Sequence, residues 1–269
     1  MGLVPRILFQ HGDFVLYTYT LFAALGVVAG VLAAWGAGRL AGRPFDELSN
    51  GTLWTIVGAA IGARLWDTGI SLVVGGRWWP GALVRGVNAP SVYGVLLGGL
   101  AGLLLWSRRH RWNSWTVLDT AAVGLAVGSA FLWGSLMVHG GAYGVPLSAP
   151  WARPLPDLAG IVVPRAPVQV GGLVLNLLLS VLFAGVVWVR GAHALNGWLV
   201  LAWAGANGAF LLVAGFWRAD PTVWVGPLRL DQVGALAQVA LVAGIVAWRL
   251  WRGAHIRLRE GRARAESGE

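Results

Sequence analysis

His139 is followed by Gly140, Gly141, Tyr143 and Gly144. Glycines beside an imidazole leave room for a bound group, and imidazole is the side chain type whose ordinary titration suits proton transfer near neutral pH. An ordinary interfacial histidine would have the same surroundings. Arg64 and Asp67 stand three residues apart. On a helix that spacing places them on one face, where they could pair. Arg64 could instead hold a phosphate through its planar fork of donors. Tyr19 and Tyr93 could donate hydrogen bonds inward or serve as interfacial anchors. Asp119 lies near the inner end of the fourth span, an interfacial position, and Asn176 and Asn207 lie within apolar runs. The asparagines suit hydrogen bonding between helices, and Asp231 suits the cap of a last helix.

The absence of Cys rules out disulfides, thiolate catalysis and cysteine metal sites. His-rich metal spacing, a nucleophile elbow and a nucleotide loop are also missing. Neither a metal nor a cofactor is expected.

The elements that must carry these residues follow from composition. Hydrophobic residues make up 57% of the 269 and charged ones only 12%, against roughly 25% charged in a soluble domain. A water-facing surface could not be covered at that figure. The apolar residues also come in runs of about 20, the length that crosses a hydrocarbon core ~30 Å thick. The first run, Phe14 to Gly36, is too long for the core of a cleavable signal. The expectation is an all-α membrane protein, a bundle of about seven transmembrane helices near 14–36, 52–74, 90–106, 115–138, 169–189, 196–217 and 231–250. Barrel strands would be about 10 residues long with strict alternation. In domain terms, residues 1–252 form the transmembrane domain, with a Pro-rich outer loop at about 139–168, and 253–269 form a charged cytoplasmic tail.

All 20 basic residues are Arg. With the N-terminus outside, 12 lie in inner segments and seven in outer ones. The positive-inside rule then predicts a cytoplasmic C-terminus. This basic excess suits anionic lipid head groups, and its scatter over short loops argues against nucleic acid. Trp106, Trp112, Trp115, Trp188, Trp198, Trp248 and Trp251 fall near span ends, as aromatic belts do. Gly58 and Gly62, and Gly98, Gly99 and Gly102, offer faces for close helix contact.

Over residues 8–250 the chain resembles the bacterial prolipoprotein diacylglyceryl transferase family. Leu16-Tyr17-Thr18-Tyr19-Thr20-Leu21 is similar to the family's first-helix Tyr segment, and Gly62-Ala63-Arg64-Leu65 matches its G-A-R-L. Ser91-Val92-Tyr93-Gly94 occupies the place of S-F-H-G, and Leu118-Asp119 precedes the fourth span as in the family. Leu132 to Pro146 lines up with G-R-x-G-N-F-x-N-x-E-x-Y-G-R-P, followed by Pro150-Trp151. Arg165-Ala166-Pro167-Val168-Gln169 resembles R-H-P-S-Q, and Leu211 to Arg218 lies where the family has R-F-x-x-E-F-x-R.

The resemblance implies a bacterial inner-membrane enzyme. It would transfer diacylglyceryl from phosphatidylglycerol to the thiol of a lipobox cysteine on a preprotein. Tyr19, Arg64, Tyr143, Gly144, Arg165, Gln169 and Arg218 are retained as substrate-binding candidates. His139, at the signature's second Asn, and Tyr93, in place of the motif His, are the candidate proton-handling residues. Several family groups are replaced: Trp133 and Leu211 stand for Arg, Leu136 for Asn, Gly141 and Gly215 for acidic residues. Two other readings stay open: a non-catalytic paralogue that binds anionic phospholipid or a membrane partner, and, more remotely, a transporter.

Overall fold

A computed structural model describes residues 7–12, 14–75 and 92–267. Among them are seven α-helices: α1 (Thr18–Leu40), α2 (Phe45–Gly75), α3 (Val92–Arg109), α4 (Ser114–His139), α5 (Val168–Arg190), α6 (Trp198–Ala214) and α7 (Leu230–Ser267). Three antiparallel two-stranded ribbons join them: β1 (Ile7–His11) with β2 (Phe14–Tyr17), β3 (Arg153–Pro156) with β4 (Val162–Arg165), and β5 (Trp224–Val225) with β6 (Leu228–Arg229).

All seven predicted spans coincide with helices, with shifted ends. Helix α1 begins at Thr18 rather than Phe14, because Phe14–Tyr17 pairs with Ile7–His11. Helix α2 begins at Phe45, with Asp46 and Glu47 in its first turn, where the helix dipole favours negative charge. Helix α7 runs on through the charged tail to Ser267. The Pro-rich segment is also more ordered than a plain loop, since it holds β3 and β4 in register from Arg153↔Arg165 to Pro156↔Val162.

Five helical stretches are long and apolar enough to cross a membrane: Thr18–Leu40, Ser114–His139, Val168–Ala194, Trp198–Trp217 and Leu230–Gly253. Helices α2 and α3 carry charges within or at the end of their apolar runs. The first carries Arg64 and Asp67, and the second ends in Arg108 and Arg109. On α5, Leu178 is 64% and Val181 74% exposed. A contiguous exposed face of such side chains on a helix this apolar suits hydrocarbon surroundings.

The chain forms two compact units. One comprises Met1–Phe22, Leu132–Leu175 and Leu201–Glu269; the other comprises Ala23–Phe131 and Asn176–Val200. In the second unit α2 and α3 pack along glycine stripes. A Cβ on Gly58, Gly62, Gly98 or Gly102 would run into backbone of the facing helix. Small residues let helix backbones approach this closely, so van der Waals contact replaces the hydrophobic drive that lipid cannot supply. Helices α1 and α4 repeat the device through Gly30 and Gly124. At the turns of this unit Leu48, Leu103, Trp106, Trp112 and Val117 form a buried cluster.

Asp119 is fully buried in the second unit. It accepts from the backbone N–H groups of Gly197 (2.5 Å) and Val200 (2.8 Å). It therefore satisfies donors at the start of α6, which an N-terminus otherwise leaves open.

In the first unit the core is Trp133, Ala142, Ala166, Val168 and Ala214, with Leu136, Val145, Leu173, Phe210 and Leu211 packed against it. The Trp133 and Phe210 rings meet edge to face at 5.5 Å. Gly172 lies under the Trp133 indole, where any Cβ would collide with the ring.

Candidate functional site

Helix α4 ends at His139, where the Gly140 N–H bonds to the Leu136 carbonyl (2.8 Å). Gly140 then turns the chain at φ 83°, and Ala142 follows at φ 52°. The left-handed conformation is cheap for glycine and costs a residue with a Cβ roughly 1 kcal/mol. At Gly140 the Asp157 carbonyl also approaches so closely that a side chain would not fit. Residues 143–147 then run extended between two other segments. Val145 donates to the Trp217 carbonyl (2.8 Å) and its carbonyl accepts from Ala166 (3.0 Å). Leu147 donates to Pro164 and Ala219 donates to Tyr143.

Two long side chains hold this segment from behind. Arg165 is buried, donates to the Gly144 carbonyl (3.4 Å), lies 4.9 Å from the Tyr143 ring centre and pairs with Asp157 at 2.9 Å. Gln169 is fully buried and donates Nε2 to the Gly141 carbonyl (2.8 Å), while its Oε1 and the Arg165 Nε have no partner. His139 is half-buried, and its ring meets Tyr19 edge to face at 4.6 Å. Ser135 fixes the start of α1 by donating to the Tyr19 carbonyl (2.9 Å).

Arg218 takes part in a closed charge network. It pairs with Asp220 and Asp231, and Arg229 bridges the same two carboxylates at 3.1 and 3.2 Å. Two cations and two anions balance, all with side chains 20% exposed or less. Such pairs hold only when geometry and extra hydrogen bonds offset desolvation. Here Arg229 adds a bond to the Arg218 carbonyl, and its N–H donates to Gln232. Asp231, in the first turn of α7, is an ion-pair partner of both arginines.

Tyr19, His139, Tyr143, Gly144, Arg165, Gln169 and Arg218 all belong to the first unit. Arg64 and Tyr93 belong to the second. There Tyr93 opens α3 with its ring 6.1 Å from Trp66 of α2. Arg64 is exposed while Asp67, a turn away, is buried. The ion pairs among the described residues do not include one between these two.

Sequence reasoning missed Asp157, Asp220 and Arg229. The available signal was scarcity: with only 11 acidic residues in the chain, each carboxylate near a buried cation is a candidate partner. Of the replaced family positions, Trp133, Leu136 and Leu211 share the dry core described above. Gly141 and Gly215 lie against Leu136 and Gln232.

Long apolar helices, lipid-facing leucines and glycine-packed seams define a multi-pass integral membrane protein. The family model of prolipoprotein diacylglyceryl transferase matches residues 6–248. A phosphatidylglycerol–prolipoprotein diacylglyceryl transferase of Gloeobacter violaceus is 30% identical over 89% of this chain and 90% of its own. A namesake from Rhodospirillum centenum is 31% identical over 85% and 86%, and one from Thermosynechococcus vestitus 26% over 92% of both. The chain belongs to the prolipoprotein diacylglyceryl transferase family, which places it in the bacterial inner membrane.

Proposed function

We propose that this chain transfers diacylglyceryl from phosphatidylglycerol to the thiol of a lipobox cysteine on a preprotein. The observation that carries this is the family match over residues 6–248. In the reaction the thiol sulfur forms a bond to the glyceryl carbon of the lipid. The carbon–oxygen bond to phosphate breaks, glycerol phosphate leaves with that electron pair, and the thiol proton passes to a base. Neither a metal nor a redox cofactor is required by that balance.

His139 is the proton acceptor, and Tyr19 packs against its ring and holds it. Tyr93 is the other candidate. Arg165 and Arg218 bind the phosphoglycerol end, with Tyr143, Gly144 and Gln169 shaping the segment beside it; Arg64, in the other unit, is a separate candidate phosphate ligand. Arg165 and Arg218 already share carboxylates, and Trp133 and Leu211 bring no charge. Preorganised charge is usually the largest catalytic contribution, so transfer is expected to be slow for the family. The seven helices all span the membrane, with the N-terminus outside and the charged tail at 253–269 cytoplasmic.

The test is transfer of labelled diacylglycerol from phosphatidylglycerol to a lipobox peptide by purified protein in vesicles. Transfer should fall about 100-fold or more in His139→Ala, the usual cost of losing a general base. Wild-type transfer no greater than in protein-free vesicles overturns the activity. Full activity in His139→Ala overturns only the role of that residue.

A further inference from the structure

We infer that the α1–α2 and α3–α4 turns form a binding site for the phosphodiester head group of an anionic phospholipid, separate from the residues assigned to transfer. Arg43, between α1 and α2, stacks on Trp112, between α3 and α4, with its guanidinium 4.0 Å from the ring centre. Trp112 meets Trp106 edge to face at 4.6 Å, and Gly51 of α2 lies against the Trp106 ring. Arg39 donates to the Arg43 carbonyl (3.0 Å), and Arg108, Arg109 and Arg111 are exposed at the facing turn. Five guanidinium groups thus gather where the only acidic neighbours in these turns are Asp46 and Glu47. None of the five is in an ion pair among the described residues.

Two further observations point to a ligand. The Arg43 Nε is a buried donor with no partner, an arrangement that costs free energy unless something else accepts; the Glu47 Oε2 in the same turn is a buried acceptor without one. Arg111 keeps a left-handed backbone at φ 56°, which a glycine would adopt at less cost. That strain is retained beside the stacked Trp112.

The apolar surroundings select a lipid over a dissolved anion. Leu40, Phe45 and Leu105 are each more than half exposed around the cations. A planar guanidinium held on an indole suits bidentate recognition of phosphate oxygens, while the exposed apolar side chains meet the ester and upper acyl region. Within its own unit the site is remote from the transfer candidate Arg64, which lies 17 residues beyond Glu47 along α2, about 25 Å at helical rise.

The experiment is native mass spectrometry of the full chain in detergent, titrated with phosphatidylglycerol or phosphatidylcholine. The wild type should retain phosphatidylglycerol preferentially. Arg43→Gln with Arg111→Gln should weaken that retention about 30-fold, from two surface charges near an anionic head group. Arg43→Lys, which keeps the charge but not the planar stack, should fall between. Lipid transfer should be unchanged in both variants. Equal retention of both lipids, or wild-type retention by the double Gln variant, overturns the proposal. Displacement of the lipid by millimolar inorganic phosphate would show the ligand to be a free anion, and overturns it too.

Discussion

Gly98→Ala and Gly99→Ala test the glycine seam between α2 and α3 with neighbouring methyl groups. A Cβ at Gly98 would come within 2.6 Å of the Gly62 Cα and 2.9 Å of its nitrogen, and closer still to the Gly58 carbonyl. All three are backbone atoms, so no side chain can swing aside. Ordinary contact begins near 3.4 Å, so the helices must part by about 1 Å to clear the Gly58 carbonyl. A gap of that size forfeits a quarter to a half of each dispersion contact. Over some 10–20 atom pairs, the loss with local strain is about 1–3 kcal/mol. At Gly99 the nearest atoms are the Thr55 Cγ2 at 3.5 Å and the Ala59 Cβ at 3.6 Å. A methyl fits there, and alanine gains up to about 1 kcal/mol over glycine in helix propensity. Thermal unfolding of the purified protein in detergent should place Gly98→Ala about 3–10 °C below wild type and Gly99→Ala level with it or slightly above. Equal midpoints for the two variants would refute the close-packed seam.

Other expectations follow from single contacts. Asp119→Ala leaves the Gly197 and Val200 donors without an acceptor and should cost about 2–4 kcal/mol, read as a lower thermal midpoint. Asp231→Asn leaves Arg218 and Arg229 sharing one carboxylate. It should destabilise by about 3–5 kcal/mol, and the same midpoint measurement would expose a smaller effect. Trp133→Arg restores a family residue type, but sets a cation among Val168, Ala214 and Phe210. The expected result is loss of stability without gain in lipid transfer; a faster, equally stable variant would contradict the dry core.

The helices were legible because continuous apolar runs of this length have few alternatives in lipid. The glycine faces were legible as well, although sequence could not separate Gly98, which touches backbone, from Gly99, which faces Thr55 and Ala59. Residues 14–17 were absorbed into the first span because Phe-Val-Leu-Tyr is apolar in either conformation and carries no period of its own. Their strand depends on pairing with Ile7–His11, a contact no local pattern reports. The charge network failed for a similar reason. Asp231 reads locally as a cap, and only folding brings Arg218, thirteen residues earlier, to its carboxylate. The motif residues of the first unit were placed by resemblance, whereas their carboxylate partners lie outside the motifs.

Val145 behaves as a rivet, since its N–H and carbonyl fasten two strips of chain, at 217 and 166, that are 51 residues apart. Adding or deleting one residue between 141 and 147 would slide every neighbouring bond out of step. The turn that follows Asp157 is closed by that aspartate and exposed at Leu158 and Ile161, so only Asp157 itself is tied to the rest of the unit, through Arg165. An epitope tag or cleavage site placed after Ala159 should be carried without loss, whereas the same insert after Val145 should abolish folding.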